Sequence, residues 1–143
     1  MKKSNFYFTY SFRVRYAEVD AQGIVFNAHY LTYFDCAITE YYRTIKYNYI
    51  NDVKKNNKDF HVIKTNINYK KPLLFDQLID VCTKVSKIGR SSLTYDLALY
   101  PDKKKHLLAS AQIIQVYTDQ LTNKSTDLPK NLIRKIKMFE KIL

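Results

Sequence analysis

A chain of 143 residues with 46% hydrophobic and 26% charged residues has the size and balance of one ordinary globular domain, which excludes a disordered or fibrous polypeptide. Its formal net charge of +11 suits an anionic partner such as nucleic acid, a membrane surface or a phosphorylated small molecule, but solvated lysines in a chain rich in Asn, Ile and Tyr account for it equally well. With only two glycines and three prolines, long uninterrupted strands and helices are expected.

No apolar run approaches the roughly 20 residues that cross a bilayer, so no integral membrane segment is expected. The opening MKKSNFYFTYSFRVRY lacks the apolar core of a secretory signal, which predicts a cytoplasmic protein. Cys36 and Cys82 stand singly in apolar-patterned segments and read as reduced packing residues. His29, His61 and His106 are scattered, so neither a metal site nor another cofactor is expected.

Along the chain, Phe12, Val14 and Tyr16 alternate with polar or small neighbours and predict a first strand over 12–19. Leu31, Phe34, Ile38 and Ile45 recur at helical spacing and predict a long amphipathic helix over 30–47. The polar stretch 48–59 reads as a frayed helix end followed by a loop. Strand-like segments follow at 60–70, 77–88, 92–101 and 106–118, with Lys71-Pro72 and Pro101-Asp102 as turn signals. At 129–142 a leading proline and the apolar set Leu132, Ile133, Ile136 and Phe139 predict a terminal helix. The order implies an α+β fold over residues 1–143, a single domain with a largely antiparallel sheet around one central helix.

Chemistry concentrates between Tyr16 and Tyr30, where a strand gives way to the helix. Gly23 permits a sharp turn, and Asp20 lies seven residues before Asn27, close to where the free N–H groups of a helix start form a positive pole. A carboxylate facing such donors can attack, or activate water against, a carbonyl whose oxyanion they stabilise. Taken alone, Asp20 reads more simply as the cap of a turn or helix. Glu18, two residues earlier, shares its side of the predicted strand, although pairing with a basic neighbour is the simpler reading. Glu40 and Arg43 are spaced for a local ion pair, and His29 reads as a surface or interface residue. The turn Lys87 to Ser92 offers a cation, hydroxyls and flexible backbone, while Lys103 to Lys105 read as a solvated hairpin tip.

Asp20, Gly23, the run Ile24-Val25-Phe26 and Tyr30 together resemble the active-site segment of hotdog-fold acyl-CoA thioesterases of the 4-hydroxybenzoyl-CoA thioesterase superfamily. The resemblance extends through Tyr33-Phe34-Asp35, Ile67 to Pro72, Asp80-Val81 and Lys87 to Ser92. It implies a hotdog fold, hydrolysis of acyl-CoA to free acid and CoA, and Asp20 as nucleophile or general base. It implies further that the backbone N–H of Asn27 polarises the thioester carbonyl, that Gly23 and Tyr30 contact substrate, and that Arg90, Ser91 and Ser92 meet the CoA nucleotide. Many relatives carry His at the Asn27 position, so only the backbone role transfers. The same resemblance implies a homodimer or homotetramer with sites between subunits, and no nucleic-acid partner. The alternatives are a thioester dehydratase, whose differently placed His and Pro/Gly-rich turn are missing here, and a non-catalytic module binding acyl-CoA or nucleic acid, favoured by the charge and 13 tyrosines.

Overall fold

A computed structural model describes residues 2–142. Its strands are β1 (Phe8–Arg13), β2 (Lys58–Tyr69), β3 (Leu78–Ile88), β4 (Ser92–Pro101) and β5 (Ala109–Asp119). Its helices are α1 (His29–Thr44), α2 (Tyr49–Asn56) and α3 (Lys130–Glu140). The strands form one antiparallel sheet in the order β1-β3-β4-β5-β2, so the long connection through α1 and α2 carries the chain from one edge to the other. Among the described residues no helix is long and apolar enough to cross a membrane.

The sheet curves around α1 because both present matched apolar surfaces. The helix buries Tyr30, Tyr33, Phe34, Ala37, Ile38, Tyr41 and Tyr42. Alternate residues of the sheet, among them Val81, Tyr95, Leu97, Leu99 and Ile113, join the same core. The buried hydroxyls of Tyr42 and Tyr95 satisfy each other at 2.6 Å. A register shift between Val85 and Lys87 interrupts the β3–β4 ladder. The last turn of α3 repairs it, for Glu140 Oε1 accepts from Val85 N at 3.1 Å and from the Tyr41 hydroxyl at 2.7 Å. Burial pushes the Glu140 carboxyl above its ordinary range despite these donors.

The expected strand over 12–19 is displaced. Strand β1 ends at Arg13, Val14 N–H donates to Gln77 O at 2.9 Å, and Tyr16–Glu18 forms a 3₁₀ turn that leaves Tyr16 82% exposed. The segment 48–59 is mostly helix rather than loop. Asn48 caps α2 by accepting from Asn51 N at 3.0 Å, and Asn57 ends it in the left-handed conformation. With few apolar residues this helix depends on caps and on Asp52, which accepts from the Tyr117 hydroxyl at 2.8 Å. Cys82 is buried as expected, whereas Cys36 is exposed because it falls on the polar face of α1.

The two sheet edges differ. On β2 the extra residue Ile63 bulges between Val62 and Lys64, and β2 pairs with β5 alone, leaving Val62 53% and Ile63 62% exposed. Near β1 the N-terminal segment folds over the outer face, where Phe6 packs with Cys82, Ala98 and Tyr100. Asp80, only 5% exposed, fastens it by accepting from Lys3 Nζ at 2.7 Å, Ser11 Oγ at 2.6 Å and Lys103 N at 3.0 Å.

Burial opposes ionisation of Asp80, but Lys3, Ser11 and the Lys103 N–H outweigh it and hold the carboxyl below its ordinary 3.8. A folded-state pKa below the unfolded one gives stability that is present at neutral pH and drains away as pH falls below about 4. Asp80→Asn should therefore cost about 1–3 kcal/mol at neutral pH, a deficit that shrinks in acid. Urea melts of both proteins at about pH 7 and about pH 3 check this.

Candidate active site

The segment from Glu18 to Phe26 folds back as a small hairpin. Phe26 N donates to Glu18 O at 2.9 Å and Asp20 N to Ile24 O at 2.8 Å, with Val19 bridged to Val25 between them. The tip is a four-residue turn closed by Gly23 N donating to Asp20 O at 3.0 Å. Asp in the first position and Gly in the last suit that turn, and Gly23 has φ +79°, which only glycine adopts freely. Asp20 Oδ1 accepts from Gln22 N at 2.7 Å, so the carboxylate does cap the turn. Its Oδ2 accepts no hydrogen bond among the described residues. One oxygen builds the turn and the other is left without a partner among the described residues.

The hairpin docks on the segment before β3, where Val25 N donates to Leu73 O at 2.9 Å and Ile24 bridges Leu74. From Phe26 the chain winds into α1 through tight bonds: His29 N to Phe26 O at 2.9 Å and Tyr30 N to Asn27 O at 3.3 Å. The N–H of Asn27 precedes these bonds and donates to no group among the described residues. It stands one residue ahead of Ala28, the cap of α1, near the positive end of the helix.

A cleft of about 540 Å³ brings Asp20, Ile24, Phe26, Asn27 and Tyr30 together with Tyr69, Lys70, Lys71 and Pro72. Tyr30 is buried beneath it, and its ring meets that of Tyr69 edge-on at 4.9 Å. The Tyr69 hydroxyl donates to Asn27 O at 3.4 Å, tying the end of β2 to the start of α1. The cleft therefore combines apolar and aromatic residues with Gln22, Lys70 and Lys71, and with Asp20 and Asn27, whose Oδ2 and N–H have no partner among the described residues. Among the described residues no three or more His, Cys, Asp and Glu side chains are grouped to hold a metal ion.

Glu18 does not share a strand face with Asp20. It sits in the 3₁₀ turn, 4% exposed, and pairs with Arg15 as the simpler sequence reading has it, with Nη2 to Oε2 at 2.7 Å. Burial opposes its ionisation, but Arg15 and the Tyr33 hydroxyl outweigh that and hold it below the usual carboxylate range. Glu40 and Arg43 form the expected local pair at 2.6 Å. His29 packs near the Phe26 ring, centroids 6.0 Å apart, outside the residues that line the cleft.

Gly23 turns the hairpin without lining the cleft, while Arg90, Ser91 and Ser92 lie elsewhere. Arg13 pairs with Leu78 at the start of β3, which anchors the Asp20 hairpin at that end of the sheet. The Arg90 turn follows the end of β3, ten steps of about 3.3 Å away. There Arg90 pairs with Asp127 and donates to Ser125 Oγ at 3.3 Å, while Ser91 O accepts from Tyr117 N at 2.7 Å and Ser92 O from Gly89 N at 2.8 Å. Within one subunit the two candidate regions are not brought together. No local pattern in the sequence marks Tyr69, Lys70 and Lys71 as cleft residues, although Lys71-Pro72, just past the end of β2, forces an extended approach there.

Residues 22–107 match the sequence profile of the Thioesterase superfamily. Over 130 residues the chain is 26% identical to Acyl-CoA thioester hydrolase YbgC of Escherichia coli, covering 91% of this chain and 96% of that protein. It is 28% identical to Acyl-CoA thioesterase YbgC of Haemophilus influenzae, covering 87% and 90%. A crystal structure of a hypothetical protein from Aquifex aeolicus superposes with TM-score 0.83 at 25% identity, covering 91% of this chain and 99% of that one. A 1,4-dihydroxy-2-naphthoyl-CoA thioesterase from Synechocystis gives TM-score 0.84 at 19% identity, covering 90% and 94%, and shows the shared fold. With the profile spanning more than half of the sequence and the curved antiparallel sheet superposing on these structures, the chain is a hotdog-fold member of the thioesterase superfamily.

Proposed function

We propose that this protein is an acyl-CoA thioesterase, cleaving the thioester to a free acid and CoA, in which Asp20 supplies the reacting carboxylate. The reading rests on one juxtaposition: the free Oδ2 of Asp20 and the free N–H of Asn27 belong to a single cleft with an aromatic wall. The Escherichia coli and Haemophilus influenzae relatives, which match this chain nearly end to end, carry acyl-CoA thioesterase names, which supports the substrate class.

A thioester carbonyl lying between the two groups meets a nucleophile on one side and a hydrogen-bond donor on the other. In the covalent route Oδ2 attacks the carbonyl carbon, the oxyanion is held by Asn27 N–H, and the C–S bond breaks to release CoA as thiolate. Water then opens the mixed anhydride, regenerating Asp20. In the general-base route Asp20 takes a proton from water as that water attacks. Both leave the acyl group against Val25, Phe26, Tyr30 and Tyr69. The residues 1–143 act as one such catalytic domain in the cytoplasm.

The free edge of β2 supports a homodimer, since an uncovered strand with exposed Val62 and Ile63 is a template for another strand. Antiparallel pairing through β2 sets the Lys58 end of one strand beside the Tyr69 end of the other. His61, Val116 and Ser92 lie in one row across the sheet near the Lys58 end. Such pairing carries Arg90 of the partner subunit towards the Asp20 cleft, where Arg90, Ser91 and Ser92 meet the CoA nucleotide across the interface. Two dimers joining gives the tetramer.

Release of free thiol from a panel of acyl-CoA esters tests the activity. Asp20→Asn should lower turnover by at least about 100-fold with the fold intact, and undiminished turnover would move the chemistry elsewhere. Asn27→Ala keeps the backbone donor and should be mild, whereas Asn27→Pro deletes it and should cost about 100-fold or more, a contrast read in kcat. For the assembly, light scattering should give a dimer or tetramer. Lysines at both 62 and 63 should yield a monomer whose KM for acyl-CoA rises about 10-fold, as it should in Arg90→Ala. Neither change should affect hydrolysis of an acyl-pantetheine, which lacks the nucleotide phosphates. A fully active wild-type monomer at micromolar concentration would contradict the assembly.

A further inference from the structure

Resting on the reading of Asp20 and Asn27 above, we infer that Glu18 is the positioning residue that sets the carboxylate and the oxyanion donor against each other, acting with Arg15 and Tyr33 from outside the cleft. Glu18 is only 4% exposed, and an ion so placed is tolerated only when its oxygens are matched by donors. Here all are matched. Oε1 accepts from Arg15 N at 2.8 Å and from the Tyr33 hydroxyl at 2.9 Å, while Oε2 accepts from Arg15 Nε at 3.0 Å and Nη2 at 2.7 Å.

These bonds join two bodies. Three come from Arg15 and clamp the 3₁₀ turn that feeds the hairpin. The fourth comes from α1, one turn beyond Tyr30, so the side chain fixes the hairpin to the helix that the proposed donor, Asn27, leads into. The main chain of Glu18 makes the second link, its carbonyl accepting from Phe26 N at 2.9 Å, next to Asn27. Asp20 lies two residues beyond Glu18 in the other direction. A shift of this carboxylate therefore moves Asp20 and Asn27 relative to each other.

Neither Glu18 nor Tyr33 lines the cleft, so neither touches the reacting atoms. Their effect on chemistry is through alignment, to which rate is steeply sensitive: a misplacement of about 1 Å costs on the order of 100-fold. Glu18→Gln keeps the shape, but its amide turns two N–H groups towards donors that need an acceptor.

The experiment compares steady-state kinetics and amide hydrogen exchange in the wild type, Glu18→Gln, Tyr33→Phe and Asp20→Asn. Glu18→Gln should lower kcat by about 10- to 100-fold with KM changed less than about threefold. The amides of Phe26 and Asp20 should exchange at least about 10-fold faster while that of Val81 in the sheet is unchanged. Tyr33→Phe, which removes one bond of four, should show smaller changes in the same direction. Wild-type kcat in folded Glu18→Gln overturns the inference, whether or not exchange quickens, as does a rise in KM alone. Should Glu18→Gln fail to fold, Tyr33→Phe decides: wild-type kcat and wild-type protection of Phe26 overturn it. Loss of activity in Asp20→Asn with none in Glu18→Gln sinks this inference alone, whereas activity retained in Asp20→Asn sinks both it and the assignment of Asp20.

Discussion

The aromatic face of α1 must be kept from water, and the rest of the molecule follows from that requirement. Phe34, Ala37 and Tyr41 are completely buried, and no flat sheet covers a helix this broadly apolar. The strands therefore curve around it, and the helix axis becomes fixed relative to the strand ends. Once the axis is fixed, so is the place where its first N–H groups emerge, beside the end of β2 and the segment leading to β3. The site is where it is because the core leaves the helix no other direction to point.

Polar groups then finish what apolar packing begins. Three buried or half-buried carboxylates each join segments distant in sequence: Asp80 gathers Lys3, Ser11 and Lys103, Glu140 reaches Tyr41 and Val85, and Glu18 joins the Asp20 hairpin to α1. Glu18 and Asp80 are too buried for water to replace their partners, so they must be matched within the protein. The result is a core held by area and a periphery held by geometry, with the cleft at the boundary between them.

Much of this was legible in the sequence because it is periodic or local. The helical spacing from Tyr30 to Tyr42 and the alternation along β3, β4 and β5 follow from burial on one or both faces, and Asp20 with Gly23 spells its own turn. The displaced first strand shows the limit. Phe12 and Val14 do face the core, but the alternating pattern runs on past the point where Arg15 and Glu18, at the spacing of a tight turn, bend the chain away. Helix α2 escaped notice because its stability comes from caps and from Asp52 rather than from an apolar stripe. Tyr69, Lys70 and Lys71 joined the cleft through the pairing of β2 with β5, which no local pattern encodes. The Arg90 turn and the Asp20 hairpin likewise carry no mark in sequence of standing at opposite ends of the sheet.

The strand order also bears on how the molecule comes into being. Strand β2 is made immediately after α2, yet its partner β5 begins forty residues after β2 ends, at Ala109. While the intervening chain is being synthesised, β2 has hydrogen-bonding groups free along both margins and carries Val62 and Ile63 in the middle of its length. Pairing over so long a separation is slow, and the interval is one in which nascent chains stick to one another. Lys58, Lys64, Asn66 and Asn68 along the same strand make it a poor seed for such contacts.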